Sequence, residues 1–250
     1  MKIKSKKIKN KFIYGDLLEN KKANTLVIFL SGFSGSRELP LFKDASAIFL
    51  KNNFSTLKFN FCGDSDDKKQ EFDALNLEEM SFSVYIEELK NIVDFFDSKY
   101  SRIVLIGHSF GAVVSILFLH KYKKYKKNTS LVLWDPSLLP WKKEWMLEDF
   151  ILTADKKNYC EKVSGSIINK VFYKELITIN TVNVFSSLNK KTCIIAAKNS
   201  ADKDAKKYFS KIKNKKTSEL FIIKNTDHFF KGKKAKKELF EKTMNFLNEV

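Results

Sequence analysis

The chain has 250 residues, 44% hydrophobic and 14% aromatic, which supplies a packed core and excludes global disorder. Its formal charge of +17 comes from 46 basic against 29 acidic residues. Only Arg37 and Arg102 are arginine, the side chain suited to bidentate phosphate and base contacts, which argues against specific nucleic-acid recognition.

The elements follow in a strand-then-helix alternation, the sequence sign of a mostly parallel sheet with helices on both faces. Residues 11–18 are predicted as an early antiparallel strand. Leu26–Leu30 is a short, wholly apolar run, the pattern of a strand buried on both faces. A helix is expected over 40–52, with Pro40 in its first turn, and Phe54–Phe61 is the next strand. Tyr85, Leu89, Ile92, Val93 and Phe96 fall at helical spacing within 83–98. Arg102–Ile106 is predicted as a strand, 110–122 as a helix and Ser130–Trp134 as a strand. The alternation then lapses over 136–187, which contains Pro136, Pro140, Trp141, Trp145 and helical-looking pieces with no strand among them. Strands resume at Thr192–Ala197 and Glu219–Ile223, and a helix closes the chain over 235–249. The expected architecture is an α/β doubly wound, mostly parallel sheet. Its core is formed by 1–135 and 188–250, and 136–187 is inserted as a helical cap.

No apolar run approaches the roughly 18–20 residues that span a bilayer. The basic N-terminus has no apolar stretch behind it, so no secretory signal is expected and the cytoplasm is the predicted location. Cys62, Cys160 and Cys193 form no CxxC pair and read as reduced, inert thiols. The lysines lie in short clusters (2–11, 121–127, 211–216, 231–237), as on a solvated surface capable at most of weak association with anionic surfaces. An AT-rich coding bias alone would produce such a composition.

The sharpest chemical signal is Gly107-His108-Ser109-Phe110-Gly111, placed between a predicted strand and a predicted helix. In that setting a serine occupies a strained turn with its hydroxyl above the sheet, and glycines two residues to either side avoid collisions of Cβ with strand and helix. The helix N-terminus adds an amide and the positive end of a dipole. A serine hydroxyl needs a base, and the chain has three histidines. His108 lies inside the turn and reads as a packing residue; His120 sits near a lysine-rich helix end. His228 follows the last strand, at the sheet edge where Ser109 sits, and is the predicted base. The acid is sought between them in the chain: Asp202 is favoured, for its place in the loop after Thr192–Ala197, ahead of Asp204 and Asp135. In the loop Ser31–Ser36, Gly32 permits close approach of the backbone. The amides of Phe33 and Phe110 are the predicted oxyanion donors. Five of the eight glycines (Gly32, Gly35, Gly63, Gly107, Gly111) fall in loops at this one edge.

These segments resemble the α/β-hydrolase superfamily along nearly the whole chain, most closely its small bacterial cinnamoyl-esterase-like and monoacylglycerol-lipase-like members. The matching stretches are Leu30–Ser36, Phe59–Ser65, the Gly107–Gly111 turn, Leu131–Pro136 and Asp227–Phe230. Ser31 stands where many members have histidine, and Lys198 where a glycine usually opens the acid loop. The resemblance implies acyl transfer to water by Ser109, His228 and Asp202 on a small acyl ester, with no cofactor and no metal. A thioesterase or lysophospholipase using the same residues remains open, as does a catalytically silent binding protein. Trp141 and Trp145 either line the pocket or fix the cap to the core. No phosphate loop, HExxH or GxGxxG offers a competing chemistry.

Overall fold

A computed structural model of the chain describes residues 1–7, 12–33, 35–61, 76–213, 215 and 218–249. Cys62, Gly63 and the rest of the Phe59–Ser65 match beyond Phe61 lie outside these residues, as do Ser34 and parts of the 2–11 and 211–216 lysine clusters.

The main sheet has eight strands: β1 (Lys2–Lys4), β2 (Phe12–Leu18), β3 (Thr25–Leu30), β4 (Ser55–Asn60), β6 (Arg102–His108), β7 (Thr129–Trp134), β11 (Thr192–Ala197) and β12 (Glu219–Ile223). They lie in the order β1-β2-β4-β3-β6-β7-β11-β12. β1 and β2 pair antiparallel with each other and β2 pairs antiparallel with β4; every later pairing is parallel. The apolar runs explain why the central strands are fully buried. In β3, Leu26, Ile28 and Leu30 face one core, while Val27 and Phe29 face the other. The period-two alternation of a strand thus supplies both faces at once.

On the Val27 and Phe29 face lie α1 (Pro40–Lys51) and α8 (Lys233–Asn248), which bury Phe42, Phe49, Leu239, Phe240 and Phe246. On the other face lie α2 (Phe82–Phe96), α3 (Phe110–Lys121) and α7 (Asp202–Ser210). α3 buries every residue from Phe110 to Leu119, as a helix apolar all round must.

The stretch 136–187 is not purely helical, and this corrects the expectation from sequence. It contains α4 (Lys143–Asp149), α5 (Lys170–Thr178) and α6 (Thr181–Ser186), but also β8 (Phe150–Leu152), β9 (Asn158–Glu161) and β10 (Ile167–Asn169). With β5 (Asn76–Leu77), contributed from the segment before α2, these strands form a second sheet in the order β5-β10-β9-β8. Strands of three or four residues are too short for an alternating pattern to register. Met146, Phe150, Ile168, Phe172, Leu176 and Phe185 of this segment join the same core as α2 and α3, so it packs down onto that face. Among the described residues no helix is long and apolar enough to cross a membrane.

Candidate active site

β6 ends at His108, and Ser109 makes the turn into α3 with φ 53° and ψ −118°. A non-glycine residue in such a conformation stores on the order of 1–3 kcal/mol of strain and persists only where its surroundings fix it. Those surroundings are glycines. A Cβ at Gly107 would lie 2.5 Å from the Ala112 amide nitrogen, and one at Gly111 would overlap the Leu30 carbonyl of β3. Gly32 permits the close approach of the β3 loop, since a Cβ there would stand 3.1 Å from Ser109 Cβ. The turn therefore brings three things together: the Ser109 side chain, the first amides of α3, and the backbone at Gly32 and Phe33.

His228 follows β12, in a loop shaped by Asp227, whose carboxylate accepts the amides of Phe229 (3.1 Å) and Lys231 (3.0 Å). Its Nδ1 lies 2.5 Å from Oδ2 of Asp135, which is fully buried. Asp135 follows β7 directly, with φ 42°. Four donors hold its carboxylate: Oδ1 accepts the amides of Ala197 (2.8 Å) and Ala201 (3.3 Å), and Oδ2 accepts the Ser200 hydroxyl (2.5 Å) as well as the histidine. A buried carboxylate with this many charge-assisted partners is satisfied, and its ring partner is held in one orientation.

Asp202, favoured from sequence, does not meet His228. It opens α7 and pairs with Lys206 at 3.0 Å and Lys198 at 3.6 Å, while accepting the Asn199 amide. The lysine beside it, Lys206, holds its carboxyl below the usual range. Asp204 sits two residues further into the helix and pairs with Lys207. The loop after β11 does reach the histidine, but with a hydroxyl and two amides around a carboxylate supplied by the neighbouring strand. Asp135 had the sequence signature of a strand-end turn before proline, and nothing local distinguishes that from an acid serving His228.

Two further residues were not legible as site residues. Ser137 Oγ lies 3.1 Å from Ser109 Oγ, and its amide donates to the Ser109 carbonyl. Among the described residues this is the hydrogen bond that the Ser109 hydroxyl makes; its partner is Ser137 and not the ring of His228. Ser137 is held in turn by the Tyr208 hydroxyl, which donates to its carbonyl at 2.8 Å. His108 is fully buried and packs edge-on to Phe42, as a packing residue would. It also places Nε2 2.8 Å from the His228 carbonyl, tying the turn to the histidine loop. Burial, followed by the neighbouring His228, pushes its pKa down to about 4, so the ring is neutral and Nε2 carries the donated proton. His120, at the last turn of α3, meets Ser187 at 3.0 Å and takes no part here.

The side chains of Phe33 and Phe110 belong to a cluster of rings over the turn. Phe33 lies 5.8 Å from Phe110 and 5.9 Å from Trp141, and Phe110 lies 5.3 Å from Phe82 and 6.0 Å from Phe172. Trp141 is thus part of this wall. Trp145 is not: it is 54% exposed under the ammonium of Lys142 and makes none of these ring contacts. His228 also borders a surface cleft of about 550 Å³ shared with Lys198, Ser200, Lys224 and Asp227. Among the described residues no cluster of His, Cys, Asp and Glu has the makings of a metal site.

The sheet order, the strand–turn–helix at Ser109 and the flanking helices define the α/β-hydrolase fold. Solved structures agree. Est1E from Butyrivibrio proteoclasticus, described with ferulic acid bound, is 17% identical with a TM-score of 0.74 over 100% of this chain and 98% of that one. The α/β hydrolase GrgF from Penicillium sp. sh18 is 15% identical (TM-score 0.72; 100% and 97%). A structure from work on carboxylesterases of the thaumarchaeon Nitrososphaera gargenis is 13% identical (TM-score 0.67; 96% of each chain). No protein-family pattern matches the sequence, and no curated protein does.

Proposed function

We propose that the protein is a serine hydrolase that cleaves a carboxylic ester, with Ser109 as nucleophile, His228 as general base and Asp135 as the carboxylate that orients it. The observation carrying this reading is the pairing of His228 with a buried, fully satisfied Asp135 at the sheet edge where Ser109 occupies its strained turn. In the reaction the Ser109 hydroxyl leaves Ser137, gives its proton to Nε2 of His228 and attacks the acyl carbon. The developing oxyanion takes the amides of Phe33 and Phe110, neither of which has another partner among the described residues. His228 then protonates the leaving alcohol, and water repeats the sequence on the acyl-enzyme. Asp135 keeps the tautomer correct and balances the imidazolium. The rings of Phe33, Phe110 and Trp141 favour an apolar or aromatic acyl group, in keeping with the ferulic acid named for Est1E. No cofactor enters this chemistry, and the substrate is a small molecule met in the cytoplasm, where unpaired thiols such as Cys160 and Cys193 stay reduced.

The test is Ser109→Ala. Turnover of p-nitrophenyl acetate is expected to fall by at least ~10³-fold, covalent labelling by a fluorophosphonate probe to vanish, and the far-ultraviolet circular dichroism to stay unchanged. Retained turnover by the purified variant removes Ser109 from this role.

A further inference from the structure

The described residues include eight large hydrophobic side chains exposed to solvent, and six of them fall between Trp145 and Val171: Trp145, Leu147, Ile151, Leu152, Val163 and Val171. Leu147 is 70% exposed and Val163 89%. They come from α4, β8, the turn after β9 and the start of α5. That turn is bonded to the end of α4, since the Lys162 amide donates to the Asp149 carbonyl at 2.8 Å. A concentration of this kind marks an interaction site rather than the scatter of single apolar residues any surface carries.

Two further observations identify the occupant. The first is charge. Residues 136–187 contain seven lysines and six carboxylates, a net +1, and the remaining 198 residues carry the other +16. Two copies brought together through the remainder oppose surfaces of net positive charge. Across this segment they meet at near-neutral surfaces. An anionic bilayer, conversely, is drawn to the lysine-rich remainder and not to this face. The second is the backbone. Among the described residues β8 is the last strand of the second sheet, and β9 is the strand it pairs with. The Thr153 amide donates to Asn158 across the hairpin. Antiparallel alternation therefore turns the N–H and C=O of Leu152 outward, away from β9. An exposed apolar edge strand is a template for pairing, and two copies of one strand pair antiparallel about a twofold axis.

We infer that the protein is a dimer whose interface is this face. β8 of one copy lies against β8 of the other, joining the two four-stranded sheets, and Leu147 and Val163 are covered around the joined edge. The inference is independent of the reaction at Ser109.

Sedimentation velocity across a concentration series is expected to show a species of twice 29.0 kDa. Added salt should tighten it, because screening relieves repulsion between the basic cores, the opposite of an ion-paired interface. Leu147→Lys with Val163→Lys sets like charges across the axis and should weaken the dimer at least ~100-fold. Leu152→Pro removes only an outward N–H, which an edge strand tolerates, and should have the same effect. Unchanged thermal melting of the isolated variants separates loss of the interface from loss of the fold. A monomer at every concentration and salt overturns the inference. So does a dimer indifferent to both variants, or a monomer that uses these residues to bind phosphatidylcholine vesicles.

Discussion

Asp135 shows how one side chain meets two demands. Its position after β7, next to β11, lets its oxygens take the amides of Ala197 and Ala201 and the hydroxyl of Ser200 while still facing His228. Asparagine keeps the shape, but it cannot balance an imidazolium, and it must turn a donor toward some of those donors. Asp135→Asn is expected to lower kcat by on the order of 10²–10⁴ with little change in KM. Asp202→Asn should change kcat little, because that carboxylate is spent on Lys206 and Lys198. Steady-state kinetics on the two variants decide the assignment, and the reverse ranking would return the role to Asp202. The strained turn at Ser109 was legible because its neighbours are constrained by sterics, which leave glycines at fixed spacing. The carboxylate that meets His228 was not, because loops after β7 and after β11 reach the same point and no local pattern records which one carries it. Trp145 was read either as pocket wall or as cap anchor for a similar reason: a tryptophan on a seven-residue helix carries no signal of whether it faces rings or water.

Between elements, His108 is the bond that joins the end of β6 to the loop after β12, and it has a pH signature. Its pKa falls from the usual 6.5 to about 4 in the folded chain. Above pH 6.5 both folded and unfolded forms are neutral, and the stability is complete. As pH falls from there, the unfolded chain takes a proton that the folded chain refuses, and stability drains until about pH 4. The total loss is on the order of 3 kcal/mol. His108→Gln keeps an N–H for the His228 carbonyl but does not titrate. Urea unfolding at the two ends of this window is expected to show a smaller fall for the variant than for the wild type. Equal falls would mean the acid sensitivity arises elsewhere. At this scale the central strands were readable, since burial on both faces forces apolar runs such as Leu26–Leu30. The second sheet was not, since β8, β9 and β10 are held by pairing across the chain rather than by their own composition.

For the molecule as a whole, the dominant electrostatic property is the +17 charge. Many lysines are occupied locally: Lys90 with Asp94, Lys206 with Asp202, Lys231 with Asp227 and Lys237 with Glu241 are all one helical turn or a similar spacing apart. Pairs with both partners in solvent, such as Lys231–Asp227 and Lys237–Glu241, contribute about 0–1 kcal/mol each and leave the long-range field positive. Arg37 is buried against Asp16, and Arg102 donates to Ser130 and to the Leu247 carbonyl. Neither arginine is therefore presented to a partner, which removes the side chain best suited to bidentate base-edge contacts. What remains is a diffuse ammonium surface, which binds polyanions by releasing their counterions. Duplex DNA is expected to bind at low salt with the same affinity for unrelated sequences. That affinity should fall with a log–log slope of about −0.9 per phosphate neutralised, so that little survives at physiological ionic strength. Fluorescence anisotropy with two unrelated duplexes across a salt series measures both quantities. A preference for one sequence that persists at physiological salt would require a built nucleic-acid site, and the lysine surface would then have a specific partner.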